Sequence, residues 1–105
     1  MNNIINFIGL ARRAGCAVFG ARLCEKCIKE RRAKLVIVAE NASGQTKKSI
    51  YDCCAYYKSD VISAFDKKEI GKIAAVEECS VISITDKGFA EKIKSEIINK
   101  INNLQ

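Results

Sequence analysis

Apolar positions along this chain follow two periods that alternate. Ile4, Phe7, Ile8 and Ala11 share one helical face, Arg12 and Arg13 fall in the last turn where cations suit the helix dipole, and Gly15 is placed to end the helix. Ala17 to Phe19 is a short strand, which Gly20 breaks before a second helix from about Ala21 to Arg31, with Leu23, Cys24, Cys27 and Ile28 on its apolar side. Leu35 to Ala39 is a continuous run of mostly branched residues between polar groups, the pattern of a strand buried on both faces. Ser43 can cap a third helix with the stripe Ile50, Cys53, Cys54 and Tyr57. Val61 to Ser63 is another short strand, and Asp66 with Glu69 has the spacing of a capping box for a brief helix carrying Ile70, Ile73 and Ala74. Ser80 to Ile84 is the last strand. Thr85 or Asp86 can cap a final helix with Phe89, Ala90, Ile93, Ile97 and Ile101 inward and Lys92, Lys94 and Lys100 largely outward, fraying beyond Asn102. Alternating helices and strands predict an α/β class with helices on both faces of a small sheet.

Length and composition narrow this without changing it. The 105 residues suit a single domain (1–105), large enough for a core without disulfide or metal support. The longest apolar run is far below the roughly 18 residues that cross a bilayer. Ile4 to Leu10 raises the question of a secretory signal, but the basic n-region and small-residue cleavage site are missing, so the segment is read as a first helix. Six cysteines without such a signal point to a reducing cytoplasm rather than a disulfide framework. With no histidine, and no Walker loop or G-x-G-x-x-G motif, catalysis has little to stand on, and neither enzymatic activity nor a cofactor is expected.

Lysine and arginine total 18 against 12 acids, a formal charge of +6 that favours a polyanionic partner but by itself equally describes a soluble surface. Position makes the charge more informative. Gly20 and Ala21 open the second helix, where unpaired N–H groups can receive a phosphate, and Arg22 lies in that first turn with Lys26 one turn on. A cation there opposes the helix dipole by roughly 0.3–1 kcal/mol unless an anion sits between them. The alternative is a solvated face with Glu25 offsetting the charge. Glu40 and Asn41 follow the central strand, where open α/β sheets place ligand contacts; Asn41 could read a base edge or cap a helix. Lys47 and Lys48, and Lys67, Lys68 and Lys72, read as phosphate contacts or as solvated lysines.

Cys24-x-x-Cys27 together with Cys53-Cys54 raises zinc or redox chemistry. Both pairs fall within helical stripes rather than tight loops, where thiols act as small hydrophobes, so no metal site is expected.

Several phrases in order carry a family resemblance: Gly9-Leu10-Ala11-Arg12-Arg13-Ala14-Gly15, Gly20 with Lys26, Ala33 through Ser43, Ile70-Gly71, and Ile84-Thr85-Asp86-Lys87-Gly88-Phe89-Ala90. The chain resembles the kink-turn RNA-binding ribosomal protein superfamily, in its bacterial YlxQ-like branch, over roughly Ile5 to Ile97. The resemblance implies a three-layer α/β/α sandwich around a four-stranded mixed sheet and a cytoplasmic, non-enzymatic, ribosome-associated monomer that binds RNA bent at sheared G·A pairs. Where the wider family has a Gly-x-Asn-Glu-x-x-Lys phrase, this chain has Gly20, Arg22 for the asparagine, Leu23 for the glutamate, and Lys26. The family's Glu-Asp pair falls on Glu40 and Asn41, and its apolar RNA-packing loop on Val76 to Cys79, which makes Val76 and Cys79 RNA contacts. Losing the asparagine and glutamate implies a shifted RNA preference, which Arg22 can serve by donating two hydrogen bonds to a guanine edge. The rival implication is a protein-interaction module that kept the fold and lost kink-turn binding.

Overall fold

A computed structural model describes residues 2–103 of the chain. The elements are α1 (Asn2–Arg13), β1 (Ala17–Phe19), α2 (Ala21–Lys29), β2 (Leu35–Val38), α3 (Gly44–Tyr57), β3 (Val61–Ser63), α4 (Lys67–Ala74), β4 (Val81–Ile84) and α5 (Lys87–Asn103). All nine expected elements form. The strands make one mixed sheet in the order β1-β4-β2-β3, with β4 antiparallel to both neighbours and β2 parallel to β3. α2 and α3 pack together against one face of this sheet, while α1 and α5 pair on the other and α4 lies against α1.

Every residue of β2 and β4 is buried, as an uninterrupted branched run between two helical layers requires. Ile8 of α1, Ile28 of α2, Ile50 of α3, Ile70 of α4 and Ile93 of α5 meet them, each withdrawn from solvent. Burying one such side chain is worth about 1.5–3 kcal/mol, so the five helical stripes hold the layers together.

Differences from the sequence reading lie at element ends. α2 stops at Lys29 rather than near Arg31, because Arg31 turns left-handed at φ 61 and the N–H of Arg32 closes back on the Cys27 carbonyl at 3.0 Å. The Arg31 guanidinium then stacks over the Tyr57 ring at 5.5 Å, which holds a non-glycine residue in that unfavourable region. Asp86, not Thr85, caps α5 by accepting from the Phe89 N–H at 2.9 Å. Ile101, expected inward, is exposed, at the edge of a cavity it shares with Ile4 and Ile97. The helix includes Asn103, and the rest of the expected fraying, at residues 104 and 105, lies outside the described residues.

Strand direction positions everything that follows. Phe19 pairs with Ile82, and Val38 pairs with both Val81 and Ser63, so β1, β2 and β3 leave the sheet at the same end, where β4 enters it. Each departing strand leads within a few residues into a helix. The starts of α2, α3 and α4, with the 75–80 segment, therefore ring one end of the sheet.

Candidate functional site

Three helix starts bring three sets of unpaired amide donors, and local sequence disposes of them differently. At α3, Ser43 caps with its side chain, accepting from the Thr46 N–H at 3.1 Å. At α4, Asp66 and Glu69 complete a capping box, with bonds of 2.8 and 3.0 Å, and Asn41 Oδ1 accepts from the Lys67 N–H at 2.9 Å. At α2 the capping residue is Gly20, which has no side chain to offer. Its φ of 102 is a conformation other residues adopt only with strain, and its own N–H is committed to the Val81 carbonyl at 3.0 Å. Of the three starts, α2 is the one whose amides no side chain caps.

Beside that start opens a cleft of about 540 Å³, to which Gly20, Ala21, Val76 and Cys79 contribute together with Phe19 and Lys67. Two chain segments that sequence alone could relate only by resemblance thus form one wall-to-wall site. Val76 is 53% exposed and Leu23 on α2 is 59% exposed, so apolar surface stands at the cleft and beside it. The Cys79 side chain is buried, its thiol 3.4 Å from the Val81 carbonyl.

The 75–80 segment is held by the backbone. The Val76 N–H donates to the Gly71 carbonyl at 2.9 Å, the Cys79 N–H donates to the Lys67 carbonyl at 3.0 Å, and Ala75 turns left-handed at φ 62. Gly71 makes this approach possible, since a Cβ there would stand 2.6 Å from the Glu77 carbonyl oxygen. The Glu78 carboxylate sits 3.9 Å from the Lys67 ammonium, a long and exposed pair that blunts the acidic character of the loop only a little.

Arg22 and Lys26 are exposed on α2, and neither forms an ion pair or hydrogen bond among the described residues. Glu25, the carboxylate that could have offset them, instead accepts from the Ser49 hydroxyl of α3 at 3.0 Å. Lys47 is half-buried in the first turn of α3, the helix packed on α2. Glu40 lines a separate cavity of about 230 Å³ with Ser63, Ala64 and Phe65, on the other side of the Asn41 turn. Asn41 keeps its amide nitrogen free while its oxygen caps α4.

Sequence reasoning passed over Phe19 and left Lys67 ambiguous. An aromatic immediately before the helix-opening glycine was a usable signal for Phe19. Lys67 carried none, since only the return of the 75–80 segment along α4 brings it to the cleft.

Four other thiols belong to the core and do not line the cleft. Cys24, Cys27, Cys53 and Cys54 are buried in the α2–α3 layer and all are reduced. Burial pushes the Cys24 thiol up to about 12 and the Cys54 thiol up to about 11, so both stay protonated. The fully buried Ser83 hydroxyl lies beside Cys24 but outside hydrogen-bond geometry with it. No cluster of three or more potential metal ligands occurs among the described residues, and no helix among them is long and apolar enough to cross a membrane.

Comparison with known proteins finds relatives in sequence and in fold. The sequence model of the ribosomal protein L7Ae/L30e/S12e/Gadd45 family matches residues 3–94. A Bacillus subtilis protein named RNA-binding protein YlxQ is 40% identical over 88 residues, covering 84% of this chain and 88% of that protein. Its Enterococcus faecium namesake is 39% identical over 93 residues, covering 89% of each. Among solved structures, a Bacillus halodurans protein of unknown function superposes with a TM-score of 0.82 at 28% identity, covering 88% of this chain and 93% of that one. The Giardia lamblia 15.5kD RNA binding protein superposes with a TM-score of 0.75 at 20% identity, covering 96% and 86%, a likeness of fold.

Proposed function

The chain belongs to the ribosomal protein L7Ae/L30e/S12e/Gadd45 family, and on that premise we propose that it is a non-enzymatic RNA-binding protein. It acts in the cytoplasm as a monomer of one domain, associates with ribosomal RNA, and recognises structured RNA of the kink-turn kind. One observation carries the site. Among three helix starts at the end of the sheet, α2 alone has no side-chain cap, and it is also the one that carries an unpaired arginine in its first turn. The amides after Gly20 receive a phosphate, which also relieves the opposition between Arg22 and the helix dipole. Arg22 and Lys26 extend the contact to the backbone or to a guanine edge. Phe19 and Val76 offer the cleft as a seat for an extruded base, with Lys67 beside it. Asn41 presents its free amide nitrogen near the rim, and Lys47 adds charge from α3. That relatives about 40% identical are named as RNA-binding supports the reading.

Titration of the intact chain against three RNAs tests it: a kink-turn, the same RNA with its sheared G·A pairs replaced by Watson–Crick pairs, and a plain hairpin of equal length. The kink-turn is expected to bind at least tenfold more tightly than the plain hairpin, with a smaller loss on replacing the sheared pairs, because Arg22 and Leu23 stand where the resemblance puts the residues that read them. Equal affinity for all three would reduce the reading to general RNA binding, and no binding to any would transfer the site to a protein partner.

A further inference from the structure

The described surface holds a second, larger depression that the RNA site does not use. Between α1 and α4 runs a groove of about 580 Å³ whose floor is aliphatic, including Leu10 and Ile73, and whose rim carries Arg12, Arg13 and Lys72. Leu10 is 45% exposed there. None of the three cations forms an ion pair among the described residues. The one carboxylate in the groove, on Glu69, is already committed to the Asp66 N–H through the capping box.

Gly9 is the informative residue. It lies in the middle of α1, where glycine costs roughly 0.5–1 kcal/mol relative to alanine. A Cβ at Gly9 would meet nothing within 4 Å, so packing inside the fold does not require the missing side chain. Its backbone is ordinary helix, so no unusual dihedral requires it either. What Gly9 leaves is clear space over the backbone at the groove, room in which a body outside this chain can come close to the helix.

We propose that this groove docks an acidic amphipathic α-helix of a partner protein. Aliphatic residues on one face of that helix rest on Leu10 and Ile73, its backbone comes close over Gly9, and its carboxylates meet Arg12, Arg13 and Lys72. The exposed aliphatic surface, which a phosphate backbone would leave unburied, favours a protein partner over RNA here, and no aromatic residue lines the groove. α4 separates the two sites. Lys67 and Ala74 line the cleft beside α2, while Glu69, Lys72 and Ile73 line the groove, so RNA and the partner helix can be held at once.

The test places a photo-crosslinking amino acid at Leu10 of the full chain in living cells of its source, with the adduct digested and sequenced after nuclease treatment. The expected result is a discrete protein adduct whose crosslinked segment is acidic and has helical apolar spacing. Its yield should fall at least tenfold in Gly9→Leu, whose Cβ meets nothing and whose longer side chain occupies the groove, and in Arg13→Glu with Lys72→Glu. Arg22→Glu with Lys26→Glu should leave it intact. Thermal melts of each variant separate docking from folding. An RNA adduct, a segment without acidic residues, a yield indifferent to the groove variants in folded protein, or no adduct at all overturns the proposal.

Discussion

The two depressions on either side of α4 are built from opposite materials. The cleft beside α2 is made of backbone: an uncapped helix start, a glycine at positive φ, and a returning loop that lies against Gly71. The groove against α1 is made of side chains, with an aliphatic floor and three long flexible cations. Backbone donors are fixed in place before any ligand arrives, so they suit a ligand recognised by shape and by phosphate geometry. A greasy floor with a mobile charged rim suits a partner whose apolar face varies in detail. Substitutions should therefore break the first site by moving the chain or reversing the two cations beside it, and the second by filling or recharging it.

The bluntest perturbation is alkali, which acts on the buried thiols of the α2–α3 layer and so on the fold that holds both depressions. Because the Cys24 and Cys54 values are raised on folding, their contribution is complete below the ordinary thiol value of 9.0 and is lost as the pH climbs toward about 12 and about 11. Each thiol should cost about 1.4 kcal/mol per pH unit within its interval. Urea melts at pH 8, 9.5 and 10.5 should show this decline, and a flat profile would contradict the burial of the thiols in their protonated form. Cys24→Ala should make the decline shallower.

Charge reversal separates the two sites more cleanly. Arg22→Glu with Lys26→Glu should weaken RNA binding on the order of 100-fold at 150 mM salt and reduce the salt slope by roughly one unit per lost phosphate contact. Arg12→Glu with Arg13→Glu should change RNA affinity far less, and filter binding across a salt series compares the pairs directly. If both pairs weaken binding equally, RNA covers both sides of α4 and the division drawn between them is wrong.

Gly71→Ala tests the backbone character of the first cleft. With a carbonyl oxygen 2.6 Å from the new Cβ, the 75–80 segment must move, at a cost of about 1–3 kcal/mol in denaturant unfolding. RNA affinity should fall with it. An unchanged affinity would remove Val76 and Cys79 from the contact surface.

Asn41→Ala removes one of the caps of α4 and should cost about 0.5–2 kcal/mol of stability. If affinity falls by more than the lost fraction of folded protein explains, the amide also touches RNA. The smallest effect has the opposite sign. Gly9→Ala should stabilise the chain by about 0.5–1 kcal/mol, visible as a raised melting midpoint, because the helix gains and nothing is struck.

Much of this was legible along the chain. Periodicity alone located the stripes of Ile8, Ile28, Ile50, Ile70 and Ile93, because a helix must bury one face and repeats it every three or four residues. The capping box at Asp66 and Glu69 was equally local, closing within four residues as the spacing required. The end of α2 was not legible. Nothing in Glu30-Arg31-Arg32 marks a stop, and the left-handed turn at Arg31 is stabilised by Tyr57, a residue of another helix. Ile101 is exposed for a related reason, since apolar spacing says which face of a helix a residue occupies but not whether another element covers that face.

The sequence by itself determined which segments become helices and strands, that the layers are α/β/α, and that one glycine opens a helix bearing two cations, because each of these depends on spacing within a few residues. Tertiary structure alone decided that β1, β2 and β3 end together, that the starts of α2, α3 and α4 are gathered at that end, that Val76 and Cys79 meet Gly20 across one cleft, and that Gly9 faces open space. Those facts depend on strand direction and on the close return of the chain over Gly71, which couple residues dozens of positions apart and leave no local trace at either one.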